Sequence, residues 1–266
     1  MRRIGFSTGA LARGDFRAAL AILRHHRVDV VELSALRIGE LEPLCRAIPA
    51  LDLASFDFVS IQAPSRFAVV EEMRVIEQLD AASSLGYPVV VHPDVIFNPD
   101  RWEILGGRLL IENMDKRKPI GRTVGELRDL FSLLPRARFC FDVGHARQVD
   151  PSMTEAVLLL RAYQDRLAQV HMSEVNTASR HDPISANAVL AFRSVMSRID
   201  ADVPIILESL IDQGQSDVQT ELARAREVFV AAPAAAGPSS RPAADRWTST
   251  LRTPDSDSQR SAPDDC

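Results

Sequence analysis

The sequence predicts a single (β/α)8 barrel, and three observations carry that expectation. Eight short apolar runs of strand type recur along residues 1–230, amphipathic stretches separate them, and no Gly-x-Gly-x-x-Gly follows the first run. Strand and helix alternating at this length argue for a parallel sheet with right-handed crossovers, and eight repeats argue for closure into a barrel. A doubly wound open sheet is the alternative, and the missing glycine fingerprint speaks against it.

The runs are Ile4–Ser7, Val28–Leu33, Phe58–Gln62, Val89–His92, Leu109–Glu112, Phe139–Asp142, Ala168–His171 and Ile205–Glu208. Apolar residues at three- and four-residue spacing predict helices over Phe16–His26, Val69–Leu85, Val124–Leu134, Thr154–Gln164, Ala186–Ile199 and Val218–Phe229. The connection around Asp94–Leu105 is short and has room for a single poor helix. Composition changes near Val230, and residues 231–266 are dense in Pro, Ala, Ser and Asp. Such a segment buries too little apolar area to offset its ordering entropy, so 1–230 reads as the barrel and 231–266 as a disordered tail. Trp247, the tail's single large aromatic, reads as a bystander rather than a docking motif.

A chain of 266 residues, 46% hydrophobic and 25% charged, is ordinary for a globular protein with a sizeable core. The net charge of −5 supplies no basic face for non-specific nucleic-acid binding, so nucleic acid is not the expected partner. The three cysteines, Cys45, Cys140 and Cys266, are odd in number and lack CxxC spacing, which excludes a disulfide framework and fits a reducing compartment. No run has the length of a membrane span or a secretory leader, so a cytoplasmic location is expected, with no membrane partner. Oligomeric state is left open.

In a parallel barrel the strand C-termini converge on one face, so residues ending different runs meet there. Glu112, Asp142, His171 and Glu208 end the fifth to eighth runs. One charged residue ending a strand is usually a solvated terminus or a helix cap. Four on consecutive strands place three carboxylates within several ångströms, and their mutual repulsion calls for a cation. Three oxygen ligands and one imidazole suit Mn2+, Mg2+, Co2+ or Zn2+ without choosing among them. His92, His145 and His181 extend the cluster as further metal ligands or substrate contacts, whereas His25 and His26 fall on the first helix and read as surface residues. Lys116, Arg117 and Lys118 read as a solvated loop before a phosphate site, and Glu32, ending the second run, as either a substrate contact or a salt bridge.

At these residues the chain resembles the xylose isomerase-like TIM-barrel superfamily, which includes ketose 3-epimerases, sugar isomerases, inosose dehydratase-like enzymes and endonuclease IV-type AP endonucleases. The resemblance spans about residues 2–230 and rests on ordered motifs: IEN at Glu112, DVGH at Asp142, H-x-S-E-x-N at His171 and ES at Glu208. It implies a metal held by Glu112, Asp142, His171 and Glu208. In the sugar enzymes it also implies an acid–base pair, Glu112 and Glu208, working through a metal-stabilised enediolate. It further implies substrate contacts from His145 and Arg180, with Gln62 and His92 beside them. The implied substrate is a small sugar or sugar phosphate. The nuclease branch implies instead a three-zinc cluster over His92, Glu112, Asp142, His145, His171, His181 and Glu208, acting on abasic DNA. There the chain departs at Gln62, where the nuclease has a histidine, and at Ser179, where it has an aspartate. A barrel that binds a sugar or metal without turnover is the third reading.

Composition alone makes the tail dispensable for folding and for any catalysis. Truncation after Val230 is expected to leave the melting temperature within a few degrees of the full chain, and a larger drop would mean that the tail packs on the barrel.

Overall fold

Strands buried on both faces are continuous apolar runs, and here they close into a ring. The computed structural model describes residues 2–211 and 215–230. The described strands are β1 (Ile4–Ser7), β2 (Val30–Ser34), β3 (Phe58–Gln62), β4 (Val89–Val91), β5 (Leu109–Glu112), β6 (Arg138–Asp142), β7 (Leu167–Met172), β8 (Glu174–Val175), β9 (His181–Asp182) and β10 (Ile205–Leu207). Eight of them form a closed parallel barrel in the order β1-β10-β7-β6-β5-β4-β3-β2, while β8 and β9 pair antiparallel above β7 in the chain. The expected barrel is therefore the observed one.

The helices are α1 (Thr8–Ala12), α2 (Phe16–Leu23), α3 (Ile38–Ala47), α4 (Glu72–Ala82), α5 (Pro99–Trp102), α6 (Val124–Leu133), α7 (Val143–Val149), α8 (Thr154–Tyr163), α9 (Ala186–Met196) and α10 (Gln215–Glu227). Side-chain caps start several of them: Asp15 accepts from Arg17 and Ala18 amides, Thr123 from Glu126, and Ser185 from Ala188. None of the described helices is long and apolar enough to cross a membrane.

The structure differs from the sequence reading at several places. Helix α3 was not anticipated, because Pro43 interrupts its pattern. The proline is accommodated on the outer face, while Leu41, Leu44 and Ala47 are buried and Glu40 accepts from the Leu36 and Arg37 amides. β2 starts later and runs to Ser34, so Glu32 lies inside the strand instead of ending it. His26 is buried, its Nδ1 2.7 Å from Gln219 Nε2, because α2 stops at Leu23 and the chain turns inward. The DVGH segment opens the short helix α7, and the β8–β9 hairpin rises before α9. The expected tail, with Trp247 and Cys266, lies outside the described residues. Cys45 and Cys140 are free thiols, and burial pushes both up.

The poor fourth helix is as expected: α5 has four residues and passes into a 3-10 turn over Glu103–Arg108. What fixes this connection is a carboxylate. Glu72, fully buried at the start of α4, accepts from the Phe97 amide at 2.7 Å, the Asn98 amide at 2.9 Å and Trp102 Nε1 at 3.0 Å. Glu72→Ala is expected to leave those donors without partners and to cost about 3 kcal/mol or more of unfolding free energy. Urea unfolding measures it, and a loss under about 0.5 kcal/mol would show that water replaces the carboxylate.

Candidate metal centre

Side chains along a strand alternate, so the barrel interior is filled in layers two residues apart. Glu112 ends β5, Asp142 ends β6 beside His171 of β7 in register, and Glu208 follows β10 directly. One ligand atom from each of these four lies within 4.8 Å of the others. His171 Nδ1 is 3.0 Å from Glu112 Oε1 and 3.4 Å from Glu208 Oε1. Glu112, Asp142 and His171 are fully buried, and Glu208 is 10% exposed in its side chain.

The flanking histidines close on the same carboxylates. His92 Nε2 is 3.3 Å from Glu112 Oε2, and His145 Nδ1 is 3.3 Å from Asp142 Oδ2 and 3.0 Å from the Asn113 carbonyl. His181 Nδ1 is 3.4 Å from Glu208 Oε2 and 2.9 Å from Ser173 Oγ. Asp142, His145 and His181 form a second group of donors able to share an ion. The local backbone is built for this. Asn113 Nδ2 donates to the Asp142 carbonyl and its Oδ1 accepts the Asp142 amide, both at 2.8 Å, so β5 holds the end of β6. Asp142 Oδ1 caps α7 through the His145 amide at 2.7 Å, which leaves Oδ2 free. Gly144 must lack a side chain because a Cβ there would strike the Ser173 carbonyl.

Electrostatics in the ion-free site show strain between like charges. Burial pushes the Asp142 carboxyl up to about 6 and the Glu208 carboxyl well above the usual range, with Glu112 repelling both. Burial acts on Glu112 as well, but the His171 and His92 imidazoles outweigh it and hold Glu112 well below the usual range. His171 rises well above the usual imidazole value, its burial overridden by Glu208, Glu32 and Glu112. Burial pushes His181 down to about 3, and the neighbouring His145 adds to this. Glu112 Oε2 and Asp142 Oδ2 are buried acceptors without hydrogen-bond partners. Unpartnered buried oxygens beside a convergent imidazole are what a divalent cation would satisfy, so the donor set fits one.

A cavity of about 260 Å³ opens above the quartet, lined among others by Ser7, Gln62, His92, Glu112, His145, His181 and Glu208. Among the described residues, no Phe, Tyr or Trp lines it. Gln62 and His92 stand at the cavity wall, and Arg180 does not. The Arg180 side chain is 61% exposed and pairs with Asp182 at 3.2 Å, because the turn above β8 points it outward. Lys118 reaches the cavity rim but is bound to Asp94 Oδ2 at 2.9 Å, and Arg117 donates to the Ala178 carbonyl at 2.7 Å. Ser179 donates to Asp115 Oδ1 at 2.8 Å and so ties the hairpin turn to the loop after β5. Asn113, Asp115 and Ser179 were not singled out as site contributors in their own right. The Asn in IEN, directly after the strand-ending glutamate, is the signal that would have found the first.

The profile of the xylose isomerase-like TIM barrel family matches residues 45–229. Among curated proteins, none matches the sequence significantly. Endonuclease IV from Thermus thermophilus superimposes with a TM-score of 0.59 at 20% identity, over 85% of this chain and 98% of that one. A putative sugar phosphate isomerase/epimerase from Anabaena variabilis gives a TM-score of 0.55 at 13% identity, over 86% of this chain and 98% of that one. At these identities the likeness is one of fold.

A cation bound by the folded chain alone raises stability by about 2.7 kcal/mol at a hundred times its dissociation constant. Mn2+ or Zn2+ is therefore expected to raise the melting temperature by several degrees and EDTA to reverse it. Asp142→Ala should abolish the rise and lower the metal content of the purified protein, and undiminished content would remove Asp142 from the site.

Proposed function

Because the chain belongs to the xylose isomerase-like TIM barrel family, we propose that it is a divalent-metal-dependent isomerase or epimerase acting on a small sugar or sugar phosphate. The observation that carries the reading is the quartet of Glu112, Asp142, His171 and Glu208, four donors within 4.8 Å, two of which, Glu112 and Glu208, line a cavity of about 260 Å³. When bound there, a divalent ion polarises a substrate carbonyl and stabilises charge that develops beside it. Glu112 and Glu208 come from strands on different sides of His171, so they approach a substrate from two directions. One removes the proton next to the carbonyl and the other returns it. His145, His92 and Gln62 at the cavity wall hold hydroxyl groups, and burial of the floor keeps water from competing. Arg180 contacts substrate in this reading only if its turn swings inward.

A second reading has a specific observation in its favour: the donor group Asp142, His145 and His181 offers a second ion position next to the first. That is the basis of an endonuclease IV-like phosphodiesterase. Against it stand Gln62, whose amide is a far weaker zinc ligand than imidazole, and Ser179, whose hydroxyl is occupied by Asp115. A barrel binding metal or sugar without turnover would show neither activity.

The Mn2+-loaded protein is expected to exchange a carbon-bound proton of at least one ketose or ketose phosphate with D2O. Glu112→Gln and Glu208→Gln are expected to lower that rate at least 100-fold. Abasic duplex should be nicked no faster than background, and Gln62→His should raise zinc stoichiometry. Three tight zinc ions in the native protein, or efficient nicking, would overturn the isomerase reading in favour of the nuclease.

A further inference from the structure

Glu32 is a fully buried carboxylate that the quartet does not use. It lies on β2, two residues before Ser34, whose register partner is Gln62 of the cavity wall. Ser60 and Gln169 stand two residues before Gln62 and His171, so by strand alternation all three occupy the interior layer beneath the site. Glu32 Oε2 is the point where this layer converges. It accepts from Gln169 Nε2 at 2.6 Å and Ser60 Oγ at 3.1 Å, and it faces His171 Nε2 at 3.0 Å. Glu32 does not line the cavity, so it does not reach a substrate.

The His171 ring is strung between two layers. Its Nδ1 faces Glu112 and Glu208 at 3.0 and 3.4 Å, and its Nε2 faces Glu32 Oε2 at 3.0 Å and Gln169 Nε2 at 2.8 Å, both nitrogens converging on that one carboxylate oxygen. A neutral imidazole carries one hydrogen, and the nitrogen that ligates an ion must be the bare one. With Nδ1 on the quartet side, the hydrogen must sit on Nε2, where the Glu32 carboxylate accepts it. In the other tautomer the Nε2 lone pair could take a hydrogen from Gln169, but it would also face the carboxylate oxygen, and the Nδ1 hydrogen would occupy the ion's place. The geometry points to Glu32 as a positioning residue for the metal site, holding His171 in the tautomer and ring plane that present Nδ1 to a divalent ion. Gln169 and Ser60 in turn fix the Glu32 carboxylate. This rests on the quartet being a metal site, and the carboxylate–imidazole–metal arrangement strengthens the imidazole as a donor.

Calorimetric titration of the full chain with Mn2+ and with Zn2+ tests it. Glu32→Gln keeps the shape but removes the charge, and it is expected to weaken binding 10- to 100-fold. Its ion-free melting temperature should stay within a few degrees of the native protein. Undiminished affinity in that variant would overturn the role of Glu32 while leaving the quartet intact. No binding by the native chain would overturn both. Long-range 1H–15N spectra of the zinc-loaded native protein test the same point without a variant that has to fold. The expected pattern is a metal-bound Nδ1 and a protonated Nε2 at His171, and the reverse pattern would overturn the proposal.

Discussion

Mutual repulsion among buried carboxylates is the constraint on which this molecule's architecture depends. Glu112, Asp142, Glu208 and Glu32 all lie in or under the barrel mouth, and the first two and the last are fully buried. Each loses most of its hydration, so each needs a positive or donating partner. The imidazoles supply it unevenly: burial pushes Asp142 and Glu208 up, whereas His171 and His92 outweigh burial at Glu112 and hold it low. Two acceptor atoms, Glu112 Oε2 and Asp142 Oδ2, still find no partner. Such a group inside a hydrophobic barrel is one that the proposed cation would complete. The surrounding structure serves to keep the group from relaxing. Asn113 pins β6 to β5 by two bonds of 2.8 Å, Asp142 is fixed as the cap of α7, and Gly144 lets that helix approach β7.

The barrel was legible because its strands are buried on both faces and read as uninterrupted apolar runs. The site was legible for a related reason: a charge at the end of such a run is conspicuous, as at LLIE or FCFD. Depth was harder to read. Glu32 looked like a strand end because the strand boundary was set at Leu33, and the true end at Ser34 puts it inside the barrel. Gln169 and Ser60 sit inside apolar runs at alternate positions to His171 and Gln62. That period of two marks the interior layer, and it was available in QVH and SIQ. Helix α3 was hidden by Pro43, which a solvent-facing position tolerates at the level of packing but not of pattern. Arg180 could not be placed from sequence at all, because its direction depends on a turn whose Ser179 takes a left-handed φ of 55°.

The choice between sugar chemistry and DNA cleavage turns on what remains of the space around the quartet. A cluster that binds several ions needs ligands on both flanks. On the β3–β4 flank, His92 approaches Glu112 at 3.3 Å, but its neighbour is Gln62, and an amide competes poorly for zinc. On the hairpin flank, Ser179 is drawn to Asp115, and Gln148 Nε2 donates to the same hydroxyl at 3.0 Å. Arg117 adds a bond from the loop after β5 to the turn. Those contacts tie the hairpin down over one side of the mouth. Two nearby cationic side chains are engaged within the chain, Lys118 with Asp94 and Arg180 with Asp182.

A cavity of about 260 Å³ lined by several polar side chains is in keeping with the small polyhydroxylated molecule of the proposed reading. Among the described residues no Phe, Tyr or Trp stands in its wall, so neither a sugar ring nor a base finds a flat apolar face to stack on, and the wall offers Ala10, Ala63, Leu36, Leu210 and Met114 instead. In the proposed reading, recognition comes from hydrogen bonds of the polar lining and from chelation beside Glu112 and Glu208, and a substrate with adjacent carbonyl and hydroxyl oxygens would use both at once.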